Sequence, residues 1–182
     1  VVKTHPSQGN VRPVIGAEAS LLTTQDGAFV SVATRELVPG NAYTLLLVVI
    51  NTPQACETRP CEGSEVLTNA DHIKADLVHA DGLIADRTGT GHFAAYLPRG
   101  DLGGWFGHGY RVAQDAEFHL VVSDHGPLIP NLAATMIGSF RGGCKDESVP
   151  PPFPSAARAD GVAGPNACRV VQKAVFSQTA PH

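Results

Sequence analysis

Charge is scarce in this sequence. Charged side chains make up 16% of its 182 residues, where an ordinary soluble domain carries about a quarter. Thirteen Lys and Arg face 17 Asp and Glu, for a formal net charge of −4. No basic block is present, which argues against a nucleic-acid partner, because phosphate recognition needs clustered positive charge. Long apolar runs are missing too. The longest, Leu45 to Ile50, is six residues, far short of the ~20 that a membrane-spanning helix needs. Aromatic residues reach only 6%, with one Trp, so stacked sugar platforms have little to draw on. There is no Cys-x-x-Cys, no Cys-x-x-Cys-His haem site and no Gly-x-Ser-x-Gly elbow. Gly89-Thr90-Gly91 lacks a following helix and reads as a turn, so a dinucleotide fingerprint is absent as well.

What is present favours one domain with a sizeable core, since 43% of residues are apolar. Four cysteines divide into Cys56 with Cys61, closing a tight loop, and Cys144 with Cys168, flanking a Pro- and Gly-rich stretch. An even count without zinc spacing predicts two disulfides and an oxidising compartment. The numbering opens at Val1 with no methionine and no apolar leader; the expectation is a secreted, periplasmic or cell-surface protein whose targeting segment has been removed.

Strand signals dominate the chain. Residues 1–16 carry Pro6, Pro13, Gly9 and Gly16 without periodicity and are expected to form an extended N-terminal arm. Ala19 to Thr24 and Ala28 to Thr34 flank a Gln25-Asp26-Gly27 hairpin turn. Ala42 to Ile50 predicts a central strand buried on both faces. Ile73 to Ala80 alternates, and Asp81-Gly82 is expected to turn the chain into Leu83 to Asp86. Further strands are expected at Gly91 to Leu97, Glu117 to Ser123, Thr135 to Phe140 and Ala167 to Ser177, with Asn131 to Ile137 a helical alternative. Asp124-His125-Gly126-Pro127 should end the Glu117 strand. No amphipathic helix is evident. The expected fold is an all-β antiparallel β-sandwich, jelly-roll or Ig-like, of about eight or nine strands. It would occupy residues 17–182 as a single domain, with a Pro-rich loop over 148–166.

Eight histidines raise a metal reading. His119 and His125, six residues apart, stand about 20 Å apart on an extended strand and cannot share an ion. A transition-metal site built from His72, His79, His92 and His119 on neighbouring strands is the arrangement the spacing leaves open. Ser123-Asp124-His125 has triad residue types, but neighbours on a strand point to alternate faces, so a triad is rejected. Asp76, Asp86 and Glu117 are carboxylates on separate elements, with no readable spacing. The Gly100 to Tyr110 loop carries five glycines around Trp105, Phe106 and His108; those three are the expected recognition residues if the domain binds a ligand.

Three stretches carry a resemblance: Gly40-Asn-Ala-Tyr-Thr-Leu-Leu-Leu-Val-Val-Ile-Asn-Thr-Pro-Gln-Ala-Cys56, His119-Leu-Val-Val-Ser-Asp-His-Gly-Pro127 and Gly138-Ser-Phe-Arg-Gly-Gly-Cys144. On them, the chain from about Leu21 to Phe176 resembles a family of exported bacterial and archaeal β-proteins. The resemblance implies export and an all-β fold; it supplies no activity and no catalytic residues.

Three functions are weighed on this basis. The first is a non-enzymatic structural or assembly protein, a surface or filament subunit or an accessory subunit, with a protein partner or self-association and no cofactor. Low charge, a separable arm and sandwich edges motivate it. The second is a small-ligand or carbohydrate-binding module using the Gly100 to Tyr110 loop. The third is a metal-binding enzyme or redox protein using the histidines.

Overall fold

A computed structural model describes residues 1–112, 115–149 and 151–177. Pro150, which opens the expected proline run, and residues 178–182 of the expected domain lie outside them. Eight strands form two antiparallel sheets. In chain order they are β1 (Lys3–Thr4), β2 (Glu18–Thr23), β3 (Gly27–Thr34), β4 (Asn41–Ile50), β5 (Ala75–Ile84), β6 (Gly91–Pro98), β7 (Glu117–Pro127) and β8 (Arg169–Phe176). The helices are α1 (Gly63–Ile73), α2 (Ala133–Gly138) and α3 (Ser155–Ala159). One sheet has the order β1-β8-β7-β4-β5 and the other β2-β3-β6. Among the described residues no helix is long and apolar enough to cross a membrane.

The sandwich follows from β4 and β7. Every residue of β4 is buried, because its two faces serve two different cores. Tyr43, Leu45, Leu47 and Val49 point inward with Phe118, Leu120 and Val122 of β7, against Val30 and Val32 of β3 and Phe93 and Leu97 of β6. Leu46, Val48 and Ile50 point outward and meet Val66, Ala70 and Ile73 of α1, with Leu77, Phe140 and Cys144. Strand alternation sends one run of apolar residues to both sides. The two sheets are also tied at their edges, where Ala94 N–H of β6 donates to Asp81 Oδ2 of β5 (2.8 Å). Both expected disulfides are present, Cys56–Cys61 and Cys144–Cys168.

Several local expectations are corrected. Residues 1–16 have little regular structure, yet they do not stand apart: β1 pairs with β8, and Val2 and Val14 are buried in the sandwich core. No amphipathic helix is evident in the sequence, yet Gly63–Ile73 forms α1, whose apolar residues Val66, Ala70 and Ile73 fall at helical spacing; Lys74 ends it in the left-handed region at φ 52°. Asp81-Gly82 is no turn. β5 runs straight through it, with a register shift opposite Leu45 and Leu46. Gly82 is needed because a Cβ there would lie 1.9 Å from the Ile137 carbonyl. Thr135 to Phe140 is not a strand; Ala133 and Ala134 favour the helix, and α2 buries Met136. β7 continues past Ser123 to Pro127.

Candidate functional site

The glycine-rich loop at 100–110 is not an open platform. Asp76, fully buried at the start of β5, holds it down. Asp76 Oδ1 accepts the N–H groups of Leu77 (2.9 Å), Phe106 (3.1 Å) and Gly107 (3.3 Å), and Oδ2 accepts that of Gly109 (2.7 Å). A Cβ on Gly104 would sit 2.1 Å from Asp76 Oδ1. These backbone donors form an anion cradle, and the protein's own carboxylate fills it. Consequently Trp105 packs edge-on against Phe140, with ring centroids 4.5 Å apart. Phe106 joins the same outer cluster. His108 bonds through Nε2 to Asp71 (2.8 Å).

The four histidines of the expected metal site do not converge. His72 is exposed on α1, and His92 is exposed on β6 of the other sheet. His79 on β5 donates to the Ile137 carbonyl (3.1 Å). His119 is on β7. Among the described residues, the one group of three ligating atoms close enough to share an ion is His125, Cys144 and Cys168, and both sulfurs are already committed to the disulfide. His125 is a structural residue. Its Nδ1–H donates to the Gly142 carbonyl (2.8 Å) and its Nε2 accepts from the Thr44 hydroxyl (2.9 Å). Burial holds its pKa below the ordinary value, against the Gly142 bond. Asp124 accepts from Asn41 Nδ2 (2.9 Å) and from Gly126 N–H (2.8 Å), so the Ser-Asp-His run has no triad geometry.

A different pair stands out on the outer face of the five-stranded sheet. Glu117 and His119, two apart on β7, share that face and are only 1% and 4% exposed. Glu117 Oε1 accepts the Cys61 N–H (2.8 Å) and bonds His119 Nε2 (2.7 Å). Because one oxygen takes both contacts, it acts as an acceptor, and His119 Nε2 carries the proton. The other ring nitrogen, Nδ1, has no hydrogen-bond partner among the described residues. Glu117 Oε2 is likewise buried without one. The Cys56–Cys61 disulfide positions this clasp by holding the Cys61 amide over β7, and Glu65 of α1 anchors the same loop by accepting the Glu57 N–H (2.8 Å).

His119 forms part of the wall of a cavity of about 820 Å³. Its floor is the outer sheet face, where Leu46, Val48, Val121 and Val175 lie; Val66, Leu67 and Phe153 reach in from α1 and the proline-rich segment. Such a site has the size and the mostly apolar walls of a small-molecule pocket, with His119 among a few polar groups in its lining. Chemically, it can take an apolar body, with the His119 imidazole as a polar contact in the wall. Of this arrangement, the sequence suggests His119 only as a metal ligand and Glu117 only as a carboxylate without readable spacing. The Glu-x-His spacing was the available signal for pairing them.

Compared with known protein families, curated proteins and solved structures, the chain matches none.

Proposed function

We propose that this protein is a small-molecule-binding β-sandwich domain that takes a largely apolar ligand into the cavity beneath α1. One observation carries the reading: a cavity of about 820 Å³ with an apolar floor, in whose wall His119 is held by Glu117 through Nε2. His125, the other buried histidine, has both nitrogens hydrogen-bonded. The two disulfides support residence in an oxidising compartment. The assembly reading rests in part on a separable arm, whereas Val2 and Val14 lie in the domain's own core.

The test is uptake of a neutral apolar fluorophore, N-phenyl-1-naphthylamine, by the folded protein. Wild type should enhance its emission saturably. Val121→Trp, which fills the floor, should weaken binding at least ~10-fold, the effect of losing about 1.4 kcal/mol, with an unchanged thermal midpoint. A folded wild type that takes up no probe would overturn the reading.

A further inference from the structure

The cavity floor has a polarity that the sheet register makes explicit. One cross-strand row on the outer face runs Leu46, Val121, Lys173, Lys3 through β4, β7, β8 and β1; the next runs Leu77, Val48, His119, Val175 through β5, β4, β7 and β8. The centre is therefore aliphatic, and the β8/β1 edge is cationic. Lys3 and Lys173 are direct cross-strand partners, and both line the cavity. Like charges directly opposite one another destabilise a strand pair. Among the described residues neither lysine makes an ion pair. His5, beside them in the lining, has its Nδ1 occupied by the Ser7 N–H (3.2 Å), so a neutral His5 ring carries its proton on Nε2. The one acidic residue in the lining, Glu62, stands at the N-cap position of α1 and makes no ion pair with either lysine.

We infer that the ligand is an anionic amphiphile, an alkyl chain with a carboxylate-type head, bound with its head between Lys3 and Lys173 and its chain along Val121 and Leu46. This rests on the cavity being a ligand site. The like-charged pair is then explained: it is unfavourable in the free protein and is relieved when an anionic head group bridges the two ammonium groups. The length also fits. Three inter-strand steps from Lys3 to Leu46 span about 14 Å, the reach of a medium-length alkyl chain.

Displacement of the bound fluorophore separates the possibilities, using decanoate, decyl phosphate and decanol below their micelle concentrations. Decanoate should displace at least ~10-fold better than decanol, and its advantage should shrink with added salt. The Lys3→Gln/Lys173→Gln double variant should erase that advantage, leave decanol unchanged and fold at least as stably as wild type. Decyl phosphate outcompeting decanoate would replace the carboxylate by a phosphate head and overturn the assignment as stated. Equal displacement by decanol and decanoate in wild type would overturn the anionic head while leaving the apolar site standing. Absence of fluorophore binding in the first place would remove both.

Discussion

The two sheets treat their outer faces in opposite ways. The β2-β3-β6 sheet leaves its outer face bare: Leu22, Phe29 and Tyr96 form one cross-strand row and are 63%, 51% and 45% exposed. Small residues such as Ser20, Ser31 and Ala94 make up the next row. The five-stranded sheet hides its outer face under α1, α2 and the loops that carry both disulfides, and there lie the second apolar cluster, the Glu117–His119 clasp and the cavity. The bare sheet is stable by strand pairing and by one buried face alone. The covered face is built from short, irregular segments whose own helix and strand content is too small to hold them, and covalent bonds and buried carboxylates take over that task. Cross-links in this fold thus shape the covered face, and the sandwich itself rests on strand pairing and its inner core.

Removing the Cys144–Cys168 bond is the strongest test of that division. It closes a separation of 24 residues, and its loss in a Cys144→Ala/Cys168→Ala variant should cost about 3 kcal/mol on chain-entropy grounds. The damage should be local. Amide hydrogen exchange should accelerate over residues 140–149 and 151–168 and stay at wild-type rates over β2, β3 and β6. Uniform acceleration over both sheets would show that the disulfide supports the whole sandwich and would break the comparison. A smaller effect is expected where a buried carboxylate does the holding. Gly104→Ala forces a methyl into Asp76 Oδ1 and should cost about 2 kcal/mol by breaking the hydrogen bonds from the loop amides to Asp76. Gly103→Ala, with open space around it but φ at 61°, should cost about 1 kcal/mol by backbone strain alone. Chemical denaturation of the two variants checks the ranking, and equal losses would mean that Asp76 does not hold the loop.

The bare side of the molecule was the legible one. β2, the Asp26-Gly27 turn, β3 and β6 follow from alternation and turn chemistry, and β4 from its unbroken apolar run. Disulfide partners could be read because the cysteines fall in two well-separated pairs. The covered side resists such reading for physical reasons. α1 contains Ser64, Thr68, Asn69 and Asp71, weak helix formers, and is stabilised by docking Val66 and Ile73 on the sheet. Gly82 looks like a turn signal until the Ile137 carbonyl is found above it. Trp105 looks exposed among glycines until Asp76 is found to gather their amides. Lys3 and Lys173 become neighbours only through the β1–β8 register, across nearly the whole chain. Each of these depends on a contact distant in sequence, which neither period nor composition encodes.

The smallest effect concerns the edge where the N-terminal segment joins the covered face. His5 is half-buried there, with Ser7 N–H bound to its Nδ1, and burial together with the charge of Lys173 pushes its pKa down to about 4. The unfolded chain has the ordinary value near 6.5. Between those two values the unfolded state binds a proton that the folded state refuses, so stability falls as pH drops from about 6.5 and levels off below about 4. Solvent screening of a half-buried ring limits the loss to about 1 kcal/mol. Carboxylates titrate over the lower part of the same window, so the measurement is the difference between wild type and His5→Gln in urea unfolding at pH 7 and pH 4. Wild type should lose about 1 kcal/mol more than the variant. Identical losses would mean that the segment through His5 leaves the edge of β8 in solution. The cationic end of the cavity would then lose Lys3, and the covered face would end at β8.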